Sequence, residues 1–223
     1  MWETKKYYDI IKNNIDIFKI IRNFHNENRL IMLYGNHDIV KKNSNVLKKY
    51  FYKYNDTINH KREYLLNNLN TNESLILKYK NYNIFLIHGH QVDFLNSTFW
   101  KFTRFLVRYV WKTLEKIGIK DFTGAANNYK VPKYTEKKLD NWSKKNNTIL
   151  IAGHTHKAIY PKIGESLYFN DGSCIHPNGI TCIEIENGKI TLVKWEYDMN
   201  ENKTVIVKRK LLSKSEQIIL FYI

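Results

Sequence analysis

Three short apolar segments of the sequence each end in a cluster of glycine and histidine, and these clusters hold the residues best suited to chemistry. The clusters are Gly35-Asn36-His37-Asp38, His88-Gly89-His90 and Gly153-His154-Thr155-His156, and they contain five of the eight histidines. Imidazole, carboxylate and amide oxygen together suit Mn²⁺, Fe or Zn²⁺, and no cysteine lies in the clusters to add a preference for thiolate ligands. The pattern therefore predicts a metal-dependent site rather than isolated histidines.

The spacing within two of the clusters fits this chemistry. His154 and His156 are two residues apart, so in extended backbone their side chains would point the same way and could serve two neighbouring metals. Asn36 can offer its amide oxygen to a metal, and His37 beside it can act as a proton donor. Asp38 can hydrogen-bond that imidazole and select its tautomer.

Hydrophobic periodicity predicts the elements that position the clusters. A helical pattern covers 7–26, and a lysine-rich helix is predicted within 38–54. Asn187-Gly188 between two alternating segments indicates a β-hairpin. Helix–strand units followed by an antiparallel block predict a mixed α/β layered domain, with its ligand site at the carboxyl ends of strands. The predicted strands are 30–34, 74–79, 84–87, 148–152, 167–170, 180–186, 189–197, 204–211 and 218–222.

The charge and cysteine content narrow the classes of partner and location. The chain has 36 Lys+Arg against 21 Asp+Glu, a formal net charge of +15. Only six of those 36 are arginines, whereas a nucleic-acid-binding protein typically uses arginine for bidentate contacts, so we do not expect a nucleic-acid partner. Cys174 and Cys182 form neither a disulfide framework nor a metal motif, and no apolar run is long enough to span a membrane. These features predict a cytoplasmic protein.

One segment concentrates the positive charge. Its basic residues step by three or four along a predicted amphipathic helix near 97–118, where aromatic and aliphatic residues fill the remaining circumference. We expect a helical lid inserted over 94–146, in which Arg104 and Arg108 bind substrate. A surface helix with a charged outer face and a peripheral contact with an anionic membrane are the alternatives. The basic residues are Lys101, Arg104, Arg108, Lys112, Lys116 and Lys120.

Taken together, the three clusters resemble ordered motifs of the calcineurin-like metallophosphoesterase family. Gly-Asn-His-Asp matches at 35–38, His-Gly at 88–89 and Gly-His-x-His at 153–156. Asn170-Asp171-Gly172-Ser173 resembles the family's Asn-Pro-Gly-Ser turn. The inserted segment is similar to the lid of the subgroup that includes UDP-2,3-diacylglucosamine pyrophosphatase. The resemblance implies an α/β fold, a layered α-β-β-α sandwich with mixed sheets, and a single domain over 1–223 with the lid inside it.

The resemblance also implies an activity and a set of ligands. The activity is hydrolysis of phosphoesters (phosphomonoester, phosphodiester or pyrophosphate) through a hydroxide activated by two divalent metal ions. Asn36, His88 and His154 would bind one metal and His156 the other, with Mn²⁺ expected and Fe or Zn²⁺ as alternatives. His37 would protonate the leaving group, supported by Asp38. The expected substrate is a phosphorylated small molecule or a lipid-linked phosphate, and the oligomeric state stays open.

Two motifs of that family do not occur in this sequence. Neither Asp-x-His nor Gly-Asp-x-x-Asp precedes Gly35, so we expect the first strands of the sheet and part of the metal site to be missing. A start codon assigned too late, a genuine truncation and replacement by other residues are the three explanations. The alternative function is that of a catalytically impaired fragment that acts as a metal- or anion-binding module.

Overall fold

The computed structural model describes residues 7–51, 53–56, 61–92, 130–176 and 179–222. Contacts divide the chain into two compact units. The first unit comprises Met1–Glu73 and Phe94–Asp121, and the second comprises Ser74–Asp93 and Phe122–Ile223. Most of the predicted lid, with Arg104 and Arg108, lies outside the described residues. The prediction of one domain with a lid over 94–146 therefore stays a prediction.

The first unit combines helices with two small pairs of strands around an apolar core. β1 pairs with β4 in parallel, and β2 pairs with β3 antiparallel. The core residues are Ile11, Phe18, Leu47, Phe51, Leu65, Leu66 and Leu69. The elements are α1 (Tyr7–Asn13), α2 (Ile15–Asn26), β1 (Met32–Leu33), a 3-10 helix (Asn36–Lys42), α3 (Ser44–Tyr50), β2 (Lys53–Asp56), β3 (Lys61–Tyr64) and β4 (Thr71–Asn72).

Two helical predictions for this unit are partly wrong. The segment 7–26 is two helices, interrupted at Asn14, whose side-chain amide donates to the carbonyl of Ile10 at 2.8 Å. Asparagine competes with the helical ladder in this way because its short side chain reaches nearby backbone groups. The segment 38–54 is divided at Asn43, whose side chain accepts from the backbone of Asn45 at 2.9 Å and so caps α3.

The second unit contains two four-stranded sheets. In the first, the order is β5-β6-β7-β8, where β5 and β6 are antiparallel and β6, β7 and β8 are parallel. In the second, β9, β11 and β12 all pair antiparallel with β10. The elements are β5 (Ser74–Tyr79), β6 (Tyr82–Ile87), α4 (Lys130–Lys145), β7 (Ile149–Ala152), β8 (Tyr168–Asn170), β9 (Ile180–Glu186), β10 (Lys189–Met199), β11 (Val205–Leu211), β12 (Glu216–Gln217) and 3-10 helices at His90–Val92 and Ile218–Tyr222.

The two faces of β7 show how this unit is layered. All four of its residues are buried, as expected for a parallel strand covered on both sides. Ile149 and Ile151 belong to the core shared with Ile190 of the second sheet, whereas Leu150 and Ala152 pack in a core with Leu139 of α4. The unit is therefore built as helix, sheet and sheet, and the expected mixed α/β fold class is confirmed.

The predicted strands of the second unit are confirmed except for the last. Residues 218–222 form a 3-10 helix in which Ile218 and Phe221 are buried. These two positions are three apart along the chain, which is the repeat of a 3-10 helix rather than the period of two that defines a strand. Among the residues the structure describes, no helix has both the length and the apolar character needed to cross a membrane.

Candidate metal and phosphate site

His88 and His154 come together where two adjacent parallel strands end. His88 follows β6 and His154 lies two residues beyond β7, and the backbone amide of Gly153 donates to the carbonyl of His88 at 3.1 Å. The centroids of the two imidazole rings are 5.2 Å apart. The structure therefore places these two predicted ligands side by side at the sheet edge that α/β folds use for ligands.

A third imidazole, which the sequence analysis did not assign to the site, belongs to the same group. The ring of His90 is 5.2 Å from that of His88 and 6.5 Å from that of His154, measured between centroids. His90 is buried at the start of a 3-10 helix. The repeated histidine in His88-Gly89-His90 was the signal that could have identified it.

The backbone at His154 and His156 differs from the extended form that the spacing suggested. Their φ angles are +68° and +58°, so both residues lie in the left-handed region and the prediction of extended backbone is wrong. The amide of Thr155 closes the turn by donating to the carbonyl of Gly153 at 2.8 Å. Such backbone costs about 1–3 kcal/mol per residue and is concentrated at functional sites, where the surrounding structure maintains it. His156 is turned toward Ser173, with Nδ1 3.4 Å from the hydroxyl oxygen.

Asn170, at the end of β8, holds this strained loop. Its side-chain nitrogen donates to the carbonyl of Gly153 at 2.8 Å and lies within hydrogen-bond distance of the hydroxyls of Thr155 and Tyr168, at 3.1 and 2.9 Å. Its side-chain oxygen accepts from the backbone of Gly172 at 2.9 Å. Because Asn170 is fully buried, no water competes for these bonds, and one side chain joins the histidine loop to the turn after β8.

Glycine at position 89 makes room for His154. Its φ is +105°, and a Cβ there would lie 3.3 Å from the Cβ of His154 and 3.4 Å from that of Ala152. An alanine would therefore combine an unfavourable backbone conformation with close contacts on the residue that carries the imidazole. Glycine at this position therefore leaves the space that the His154 side chain needs.

Asp171 supplies a carboxylate beside the same loop. A Cβ on Gly153 would lie 3.0 Å from its Oδ1, which shows how closely the carboxylate approaches the loop backbone. Burial raises the pKa of Asp171 from its ordinary 3.8 to about 6, because desolvation disfavours the charged form. The family motif that this turn resembles has proline at this position, and proline has no titratable group. The resemblance therefore gave no reason to consider Asp171 as a site residue.

The remaining predicted site residues belong to the first unit. Asn36 is buried, and among the described residues no donor reaches its Oδ1. Oδ1 of Asp38 accepts from the backbone of Gly35 at 2.6 Å, and its Oδ2 pairs with the ammonium of Lys41 at 2.5 Å. Both oxygens therefore stabilise the loop that carries Asn36 and His37. The expected support of His37 by Asp38 stays a prediction.

Lys41 is a residue that the sequence analysis missed. Its side chain is only 4% exposed, and its ammonium also lies 5.6 Å from the centroid of the Phe51 ring. A buried cation requires such partners because desolvation of an ammonium group is costly. A lysine three residues after an aspartate on a helical turn was the available signal.

The donors present fit a divalent metal in type but do not complete a metal centre. Nitrogen from imidazole and oxygen from a buried amide are ligands that Mn²⁺, Fe or Zn²⁺ accept. However, in the part of the chain that the structure describes, no three His, Cys, Asp or Glu side chains are arranged to hold a metal ion. The described residues therefore bring the imidazoles of His88, His90 and His154 together without completing a metal centre.

One comparison with known proteins identifies the type of domain. The family model described as the calcineurin-like phosphoesterase superfamily domain matches residues 9–188. No curated protein sequence matches the chain. Among solved structures, the vacuolar protein sorting 29 protein of Chaetomium thermophilum is similar at 12% identity and a TM-score of 0.30, covering 66% of this chain and 62% of that one. The corresponding protein of Cryptosporidium parvum has 17% identity and a TM-score of 0.29, covering 65% of this chain and 59% of its own.

Proposed function

Because the chain belongs to the calcineurin-like phosphoesterase superfamily, we propose that it hydrolyses phosphoesters with the help of divalent metal ions. The superfamily suggests a function of the phosphoesterase type. The observation that carries the proposal is the pair of imidazoles of His88 and His154, 5.2 Å apart at the ends of β6 and β7. Neutral imidazoles at the carboxyl ends of adjacent strands are suited to hold a metal where a phosphate could reach it.

The sequence motifs supply the individual assignments in this proposal. The proposed metal ligands are Asn36, His88, His154 and His156, and His37 is the proposed donor of a proton to the leaving-group oxygen. Bound metal ions would supply Lewis-acid activation of water and neutralise charge on the phosphate oxygens. Manganese is the proposed metal, with iron or zinc as alternatives.

Asn170 and Gly89 are positioning residues in this scheme. Asn170 holds the carbonyl of Gly153 and so orients the backbone that carries His154. Gly89 leaves space for the Cβ of His154. Preorganisation of this kind is what allows a site to bind charge without rearranging.

The test is hydrolysis of p-nitrophenyl phosphate, bis-p-nitrophenyl phosphate and a nucleotide diphosphate ester by the chain with Mn²⁺, Fe²⁺ or Zn²⁺. We expect activity that requires metal and falls at least ~100-fold in His88→Ala and His154→Ala, because loss of a residue that only supports a metal ligand already costs about 10–100-fold. His176→Ala is the matched control, since this histidine is exposed. Full activity in His154→Ala, or no hydrolysis with any metal, would contradict the proposal.

The finer features of the substrate and location are part of the same proposal. A phosphorylated small molecule or a lipid-linked phosphate is the proposed substrate, and Arg104 and Arg108 are proposed to help bind it. Within the superfamily, the proposed subgroup is the one that includes UDP-2,3-diacylglucosamine pyrophosphatase. A cytoplasmic location is supported by the two cysteines, Cys174 and Cys182, which are both free. Unchanged KM in Arg104→Ala would remove that arginine from the binding site.

A second function, that of a metal- or anion-binding module without catalysis, is favoured by one observation. The described residues include no group of three side chains arranged to hold a metal, so the chain could bind an ion weakly without activating water. Calorimetry with Mn²⁺ separates the two functions. Two bound ions with hydrolysis support the enzyme, whereas one weakly bound ion without hydrolysis supports the module.

A further inference from the structure

The second sheet of the second unit exposes an apolar face. Ladder partners place Trp195, Tyr197 and Met199 of β10 on the same face as Val207 and Val205 of β11. Ile180 of β9, opposite Trp195, and Leu211 of β11, opposite Val193, extend it. We call this surface the apolar face, and it consists of Ile180, Trp195, Tyr197, Met199, Val205, Val207 and Leu211.

Beyond Val193, the other face of the same hairpin is mostly charged. Lys208 pairs with Asp198 at 3.1 Å and Lys194 with Glu196 at 2.5 Å. An antiparallel sheet with one polar and one apolar face normally turns the apolar side toward a core. The opposite face of β10 carries Ile190, which belongs to the core shared with the first sheet. The apolar face remains exposed, with exposed fractions from 38% at Trp195 to 77% at Tyr197.

The size of the apolar face matches that of a protein interface. With these exposed fractions of whole residues and full residue areas on the order of 150–250 Å², the seven residues present roughly 700 Å². The largest apolar patch of a typical monomer is about 300–600 Å². A standard interface buries about 800 Å² on each partner. This face is therefore large enough to form most of one side of a stable interface.

The charge of the face selects among partners. Its charged residues are two opposite pairs: Glu184 with Arg209, joined at 2.5 Å, and Glu186 opposite Lys189 in the ladder. The face is thus neutral although the chain carries +15. An acidic protein or an anionic membrane would be attracted to a positive surface, so neither is favoured here. A second copy offers an equally neutral and equally apolar surface.

The edge of the sheet favours packing between faces rather than extension of the sheet. Among the described strands, β11 pairs only with β10 and forms an edge. It carries Lys208, Arg209 and Lys210 in succession, and such charges oppose pairing between edges. We propose that two copies of this chain pack their apolar faces together about a two-fold axis, each covering the same residues of the other.

The test is sedimentation equilibrium of the full chain over a wide range of concentration. We expect a mass of twice 26.8 kDa that falls to the single mass on dilution. Val207→Lys places an unpaired charge in each half of the interface and should raise the dissociation constant at least ~tenfold. Ile206→Lys is the matched control on the same strand, because Ile206 lies on the opposite face and its substitution should leave the dissociation constant unchanged.

Several outcomes would overturn the proposal. These are a monomer at every concentration, a dimer that Val207→Lys leaves intact, and a monomer that floats with vesicles containing anionic lipid. If circular dichroism shows that Val207→Lys does not fold, Tyr197→Ser is the variant that tests the interface. Tyr197 is 77% exposed and contributes little to the stability of the folded monomer. An unchanged dissociation constant in Tyr197→Ser would also overturn the proposal.

Discussion

Replacement of Asn170 by alanine tests whether one buried side chain maintains the histidine loop. The change removes the bonds to the carbonyl of Gly153 at 2.8 Å, to the Tyr168 hydroxyl at 2.9 Å and from the amide of Gly172 at 2.9 Å. Each bond contributes about 1 kcal/mol net, and a buried partner left without one costs about 1–3 kcal/mol. Because Asn170 is fully buried, we expect the free energy of unfolding to fall by roughly 2–4 kcal/mol.

The measurement is urea unfolding followed by circular dichroism, and an unchanged slope between variants shows that a shift of the midpoint reflects a change in stability. Asn146→Ala is the matched control: the Asn146 side chain also donates to a carbonyl, that of Trp142 at 2.8 Å, but it is exposed. That variant should change the free energy of unfolding by less than ~0.5 kcal/mol. Asn170→Asp distinguishes the contribution of the side-chain nitrogen from that of the side-chain oxygen. It keeps the acceptor for the amide of Gly172 and replaces the donor to the carbonyl of Gly153 by a second acceptor.

If Asn170→Ala unfolds within about 0.5 kcal/mol of the wild type, the reasoning is refuted, because the left-handed backbone at His154 would then not depend on this side chain. If Asn170→Asp at neutral pH is as stable as the wild type, the donor to Gly153 is not the important end. In either case the source of loop rigidity would have to be sought in the backbone bonds of the turn itself.

Two further predictions concern charged groups. The pKa of Asp171 is raised to about 6 from 3.8, so the folded state binds this proton more tightly than the unfolded chain; the stability this supplies is present below about pH 4 and is lost as the pH rises through about 6. Asp171→Asn should therefore reduce the dependence of the melting temperature on pH between those values. A variant whose melting temperature changes with pH as steeply as that of the wild type would contradict the assignment. Lys41→Met should destabilise the fold by roughly 2–3 kcal/mol in urea, because it leaves the carboxylate of Asp38 facing an apolar group. The double variant with Asp38→Asn should recover part of that loss, and strictly additive effects would show that the ion pair is not coupled.

Sequence patterns predicted those parts of the fold that depend on local preference. The strands at 74–79 and 180–186 are observed at the predicted positions, because alternating or continuous apolar residues favour the half-buried or buried strand. The same reasoning failed at 218–222, where packing of Ile218 and Phe221 against the first sheet stabilises a 3-10 helix instead. It also missed the break at Asn14, since a single side-chain bond to Ile10 determines it.

By itself the sequence determined the three Gly/His clusters and the order of strands that carry them, because residue types and spacing are local properties. Only the tertiary structure decided that the imidazole rings of His88, His90 and His154 lie close together. It also decided that His154 adopts left-handed backbone and that Asn170 supports it. These outcomes arise from contacts between residues far apart along the chain, whose energies exceed local preference. The apolar face of β10 and β11 is of the same kind, since only the packing of the described residues determines that these side chains are exposed.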